Sequence, residues 1–142
     1  MQDVVLNIKS SQYSPEWESD ETIELITPGK LYQKNGDVYI TYREGTLTGM
    51  SNTETTLKVE RGRVTLTRTG DIFSEMVFEN GFRHLSYYDM GEIGGMAVGV
   101  NAKRVDAKIT EQGGHIDVEY AIEVENRYTG DNNFIIEVKN VQ

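Results

Sequence analysis

Two charged side chains stand where the sequence pattern asks for apolar ones. In Val38-Tyr39-Ile40-Thr41-Tyr42-Arg43-Glu44, the alternate positions Val38, Ile40 and Tyr42 make one face of a strand, and Glu44 continues that face. In Arg63-Val64-Thr65-Leu66-Thr67-Arg68, the row of Val64 and Leu66 runs on into Arg68. A buried charge must be paired, and the planar fork of a guanidinium matches a carboxylate with two hydrogen bonds. Two chemistries follow. Glu44 and Arg68 form a structural ion pair that plugs one end of a core, which is the commoner use of such groups. Alternatively Arg68 holds the acid head of a bound ligand while Tyr42 and Tyr120 offer hydroxyls, as polar groups do in apolar pockets.

His84 is the remaining candidate polar group. It shares a strand face with Ser86 and Tyr88, which are base and nucleophile types, yet no strained Gly-x-Ser-x-Gly turn surrounds Ser86. A hydrogen-bonded histidine on a strand is the ordinary reading, and no catalytic residue is assigned. Glu75 and Glu79 read as solvated or turn residues. His84 and His115 lie far apart, neither with an i+2 or i+4 partner, and there are no cysteines. A disulfide framework, a thiolate nucleophile and Cys-based metal sites are therefore excluded, and no metal or cofactor is expected. Gly91 to Gly95 lacks the strand, glycine loop and helix context of a phosphate loop.

The elements that must position these residues are strands. Period-2 alternation recurs along the 142 residues, whereas helical spacing does not persist. Val4, Leu6 and Ile8 open the chain as one strand face. An acidic loop or single helical turn from Ser14 to Glu21 precedes a second strand, Thr22 to Lys34, in which Pro28-Gly29 predicts a bulge or an edge position. Asn35-Gly36 predicts a tight type I′ hairpin. Leu57 and Val59 turn inward, Phe73 to Phe78 is apolar on both faces, and the alternation slips by one residue near Ala102-Lys103-Arg104, which predicts a bulge or corner. Ile116, Val118, Tyr120, Ile122 and Val124 oppose a polar face, and Phe134, Ile136 and Val138 close the chain. Nine to eleven strands with short junctions favour an all-β antiparallel up-and-down barrel over a two-sheet sandwich.

Composition narrows the partners. Lys plus Arg total 14 against 23 Asp plus Glu, a net charge of −9, so nucleic acid is not an expected partner. No run of about 18 apolar residues could span a bilayer as a helix, so no membrane is expected either. The first residues carry no basic and apolar export pattern, which makes a cytoplasmic setting the expectation. One domain over residues 1–142 suits the length.

An ordered set of segments then carries a resemblance. Tyr42-Arg43-Glu44, Leu47-Thr48-Gly49, Thr55-Thr56-Leu57, Val64 to Gly70, Met76 to Gly81, Arg83-His84 and Gly99-Val100-Asn101 occur in that order, with Gly113-Gly114 ahead of the Tyr120 strand. The chain resembles the YwiB-like family of small bacterial proteins over nearly its whole length, from Val4 to Val138. It departs from the family pattern between Tyr88 and Gly95. The resemblance implies a calycin-like (lipocalin-like) β-barrel of about eight to ten strands, and it implies no reaction. Calycin membership makes a small ligand inside the barrel an expectation from fold alone.

The resulting expectation is a non-enzymatic barrel that binds a small apolar or acidic ligand at its interior or mouth, through Glu44, Arg68, Tyr42, Tyr120 and His84. The rival is a structural or protein-interaction module with a filled interior, pairing as a homodimer or with another protein through an edge strand at one end of the sequence. Bulky Met96, Phe78, Tyr42 and Tyr120 favour a core that is filled apart from a shallow mouth pocket. A hydrolase-type enzyme is the weakest reading.

Overall fold

The computed structural model describes residues 1–14, 19–43, 53–70, 73–89, 95–124 and 127–141. Among them are ten strands: β1 (Gln2–Ser14), β2 (Ser19–Lys34), β3 (Asp37–Arg43), β4 (Thr53–Glu60), β5 (Arg63–Gly70), β6 (Phe73–Glu79), β7 (Arg83–Asp89), β8 (Gly95–Thr110), β9 (Gly113–Val124) and β10 (Arg127–Asn140). Each strand pairs antiparallel with its neighbours in sequence, and β1 pairs with β10, so the sheet closes into an up-and-down barrel. The β1–β10 ladder runs from Val4 opposite Asn140 to Tyr13 opposite Asp131. The terminal strands thus cover one another and do not offer the edge expected of them.

The turns explain the register. Asn35 and Gly36 adopt φ of 55° and 85°, the positive values a type I′ turn requires. The tight turns after β2, β4, β6 and β8 all fall at one end of the cylinder, because consecutive strands alternate in direction. Ser14, Arg43, Gly70, Asp89 and Val124, the last residues of β1, β3, β5, β7 and β9, lie at the other end. The β8–β9 ladder shifts register between Ala102 and Arg104, so the predicted slip is a bulge with Lys103 as the extra residue.

Two local expectations are corrected. Ser14 ends β1 and Ser19 to Glu21 begin β2, so these positions are strand and not loop or helical turn, and residues 15–18 of that acidic stretch lie outside the described residues. Pro28 causes no bulge either: β2 pairs with β1 without a register shift from Ser19 to Leu31. The β2–β3 ladder covers only Lys30 to Lys34, so Pro28 occupies a position where its missing N–H is not needed by β3.

The core follows the alternation. Val4, Leu6, Ile40, Leu57, Val64, Phe78, Val100, Ile116, Val118, Ile136 and Val138 are all almost fully buried. They concentrate in the half of the cylinder nearest the tight turns. Phe78 is the largest fully buried side chain, and its ring centroid lies 4.6 Å from that of Tyr120 and 5.4 Å from that of Phe134. The ambiguous segment Phe73 to Phe78 resolves with Ser74, Met76 and Phe78 inward and Phe73 exposed.

Candidate functional site

Above this apolar half the interior turns polar. Register alone aligns Tyr42 on β3 with Thr55 on β4, Thr55 with Arg68 on β5, and Arg68 with Ser74 on β6. Four adjacent strands therefore present a belt at one level of the barrel. Tyr42, Thr55 and Ser74 are buried, as is Thr53 one step nearer the mouth. The Nε of Arg68 is shut off from solvent. The Oγ atoms of Ser74 and Ser86 and the Oγ1 of Thr53 are buried with no hydrogen-bond partner among the described residues. Water normally satisfies a hydroxyl, so each such group costs about 1–3 kcal/mol.

The facing wall comes from β10, β9 and β1, where Gln12 pairs with Asn132, Asn132 with Tyr120, and Ser10 with Phe134. Between the two walls lies a cavity of about 280 Å³. Arg68, Tyr42 and Tyr120 line it, with Leu66, Met76, Ile8 and Ile136 toward the core and Ser10, Gln12 and Asn132 toward the opening. Arg68 is the one charged group among the described lining residues. The Tyr120 and Phe134 rings stand edge to face at 6.2 Å, both against Phe78. A larger groove of about 560 Å³ follows Val5, Pro28, Lys30 and Arg43 between β2 and β3, and it shares Tyr42 with the cavity.

Three of the five residues singled out by sequence therefore meet, namely Tyr42, Arg68 and Tyr120. Glu44 lies outside the described residues, as does Asp89-Met90-Gly91-Glu92-Ile93-Gly94 from Met90 onward. The side chains of Tyr88 and Met96 are likewise outside them. His84 is elsewhere: its Nε2 sits 2.8 Å from the Glu79 Oε1, across the β6–β7 turn. The β6–β7 ladder extends only from Phe73–Asp89 to Glu75–Tyr87, and beyond it this side-chain bond links the two strands. Glu79 is thus a partner for His84, where the sequence suggested a plain turn carboxylate. Thr53, Thr55 and Ser74 were missed, although Thr53 and Thr55 hold the same alternate positions as Leu57, and Ser74 the same as Met76 and Phe78.

Near the mouth but on the outer surface, Lys103 reaches over β9 and donates to the Asp131 carboxylate at 2.9 Å, and the Tyr128 hydroxyl donates to the same group at 2.8 Å. The Lys103 hydrogen bond, with that of Tyr128, holds the Asp131 carboxyl below the usual range. Lys103 and Tyr128 are both raised, each chiefly by its bond to Asp131. The bulged residue thereby ties β8 to β10.

Comparison with known proteins places this geometry. The uncharacterized β-barrel protein YwiB of Bacillus subtilis (strain 168) is 27% identical over 106 residues, which covers 75% of this chain and 72% of the relative. The crystal structure of the B. subtilis ywiB protein superposes with a TM-score of 0.87 at 24% identity, covering 99% of this chain and 93% of that one, and so shares the fold. Residues 6–136 match the family model described as a domain of unknown function, DUF1934, and with that match the chain belongs to the DUF1934 family of YwiB-like β-barrels.

Proposed function

We propose that this protein is a non-catalytic small-molecule binding module of the bacterial cytoplasm, with its site in the polar upper half of the barrel. The observation that carries the reading is a cavity lined by Arg68, Tyr42 and Tyr120, with the buried hydroxyl of Ser74, partnerless among the described residues, next to Arg68 in register. Such groups are costly in an empty protein and become useful once a ligand or its bound water meets them.

Native mass spectrometry of gently purified protein, followed by NMR titration with a mixture of small organic fragments, tests this. An adduct mass, or shifts confined to Tyr42, Arg68, Tyr120 and Asn132, is the expected result. Ser10→Trp, which fills the opening, should abolish those shifts. Absence of both adduct and shift, or shifts centred on the outer groove at Val5 and Pro28, overturns the reading.

Association through a strand edge is a second reading, favoured by one feature. Among the described residues, Ser19 to Gly29 of β2 has a ladder partner on one side only, and Ile26 there is 65% exposed. Sedimentation should then give a dimer that Ile26→Lys dissociates; a monomer at every concentration removes it.

A further inference from the structure

We propose that Tyr42 is the partition between the cavity and the groove beside it, and that its ring sets the length of ligand the cavity accepts. This deepens the ligand-site reading above and rests on it. Tyr42 is the one described residue that lines both spaces, the cavity of about 280 Å³ and the groove of about 560 Å³. It is buried, and it follows Ile40 on the inward row of β3.

Among the described residues, no strand ladder closes the wall here. The β2–β3 pairing ends with Lys30 opposite Thr41, one residue short of Tyr42. Beyond that pair the groove is lined from both faces of the sheet. Gly29 lies opposite Val4 and Thr27 opposite Leu6, and because Val4 and Leu6 are core residues, Gly29 and Thr27 share their inward face. Lys30, Thr41 and Arg43 line the same groove from the outer face. The groove is thus open to the interior side where β2 and β3 part, and the Tyr42 ring stands between it and the cavity. A wall of hydrogen-bonded strand survives any single substitution, whereas a wall made of one side chain does not.

The partition fixes a length. A space of 280 Å³ is about nine times the share of liquid volume that one water takes, so a chain of about nine non-hydrogen atoms fills it. Up to that length each CH₂ leaves water for the wall of Leu66, Met76 and Ile136, which strengthens binding about fourfold per group. A longer chain must turn back into water at the opening or displace the ring. With the ring removed, it runs on into the groove along Val4, Val5 and Pro28.

The test uses the full chain and the primary alkanols from butanol to decanol, titrated by NMR and calorimetry. These probes are neutral and do not compete for the interaction that Arg68 already holds. For the wild type, affinity should rise about fourfold per CH₂ and stop rising at about octanol, with shifts confined to the cavity. Tyr42→Ala should bind butanol nearly as the wild type does, yet continue the rise through decanol and add shifts at Val5 and Pro28. Tyr42→Phe keeps the ring and should keep the break at octanol. If Tyr42→Ala fails to fold, Tyr42→Leu should move the break to longer chains. A wild-type affinity that climbs unbroken to decanol, a break that survives in the Ala or Leu variant, or a break lost in Tyr42→Phe overturns the partition, with the cavity standing as a site. If no alkanol binds while the fragment mixture gives shifts, the length filter is overturned and the site stands; if neither binds, both are overturned.

Discussion

Ser74→Ala should make the protein more stable, and the size of the gain follows from its surroundings. Ser74 is fully buried, and its Oγ has no hydrogen-bond partner among the described residues. Taking a hydroxyl out of water without a new partner costs about 1–3 kcal/mol in proteins. Alanine keeps the Cβ and removes only the oxygen, so the loss of packing is confined to one atom and offsets a few tenths of a kcal/mol at the dispersion of about 0.1–0.2 kcal/mol per contact. The net expectation is a gain of about 1 kcal/mol, equivalent to roughly 2–5 °C in Tm for a domain of this size. Urea unfolding monitored by circular dichroism reads the change as a higher midpoint at unchanged slope. A loss of stability above about 0.5 kcal/mol would refute the reasoning, since it would mean that Ser74 already has a partner worth more than its burial costs.

Phe78→Ala removes the centre of the aromatic cluster and should cost about 3–5 kcal/mol in the same urea assay; a cost under 1 kcal/mol would contradict its place in the core. Gly114→Ala would set a Cβ 1.8 Å from the Lys108 carbonyl oxygen, an immovable backbone atom, and should destabilise by about 3 kcal/mol or more. Gly99→Ala meets only the flexible Arg83 guanidinium, 2.5 Å away, and should cost under about 1 kcal/mol, so equal losses at the two glycines would be the unexpected outcome. Asp131 is lowered by Lys103 and Tyr128, so its contribution is present above the unfolded carboxyl value and is lost as pH falls through the lower folded one. Asp131→Asn should therefore flatten the stability loss below about pH 4, and unchanged acid melting curves would contradict the link.

Much of the architecture was legible because alternation with a buried face fixes register. The slip at Lys103 shows it: Val100 and Val105 both face inward, which two-residue periodicity forbids without a bulge. Asn35-Gly36 was readable because few residue pairs accept two positive φ values. The polar belt was harder. Thr55 and Ser74 read as wet positions on propensity alone, and only the closure of the sheet turns their face into an interior. Arg68 was visible as an anomaly because a cation in an apolar row is rare, while a threonine in a strand is ordinary. The bond between His84 and Glu79 had no signal in the letters, since it depends on the β6–β7 ladder ending at Glu75 and Tyr87.

The meeting of β1 with β10 has a consequence for how the molecule forms. Every other ladder joins strands that are neighbours in sequence and can zip as a local hairpin, whereas this one must bring together segments separated by most of the chain. We expect this seam to be the last event of folding. Its cross-strand pairs, Leu6 with Val138 and Ile8 with Ile136, are then absent from the transition state. Val138→Ala should accelerate unfolding and leave the refolding rate nearly unchanged, whereas Leu57→Ala, inside a sequence-local hairpin, should slow refolding as well. A chevron in which Val138→Ala retards refolding as strongly as Leu57→Ala would place the seam early, and the cylinder would then close before its hairpins are complete.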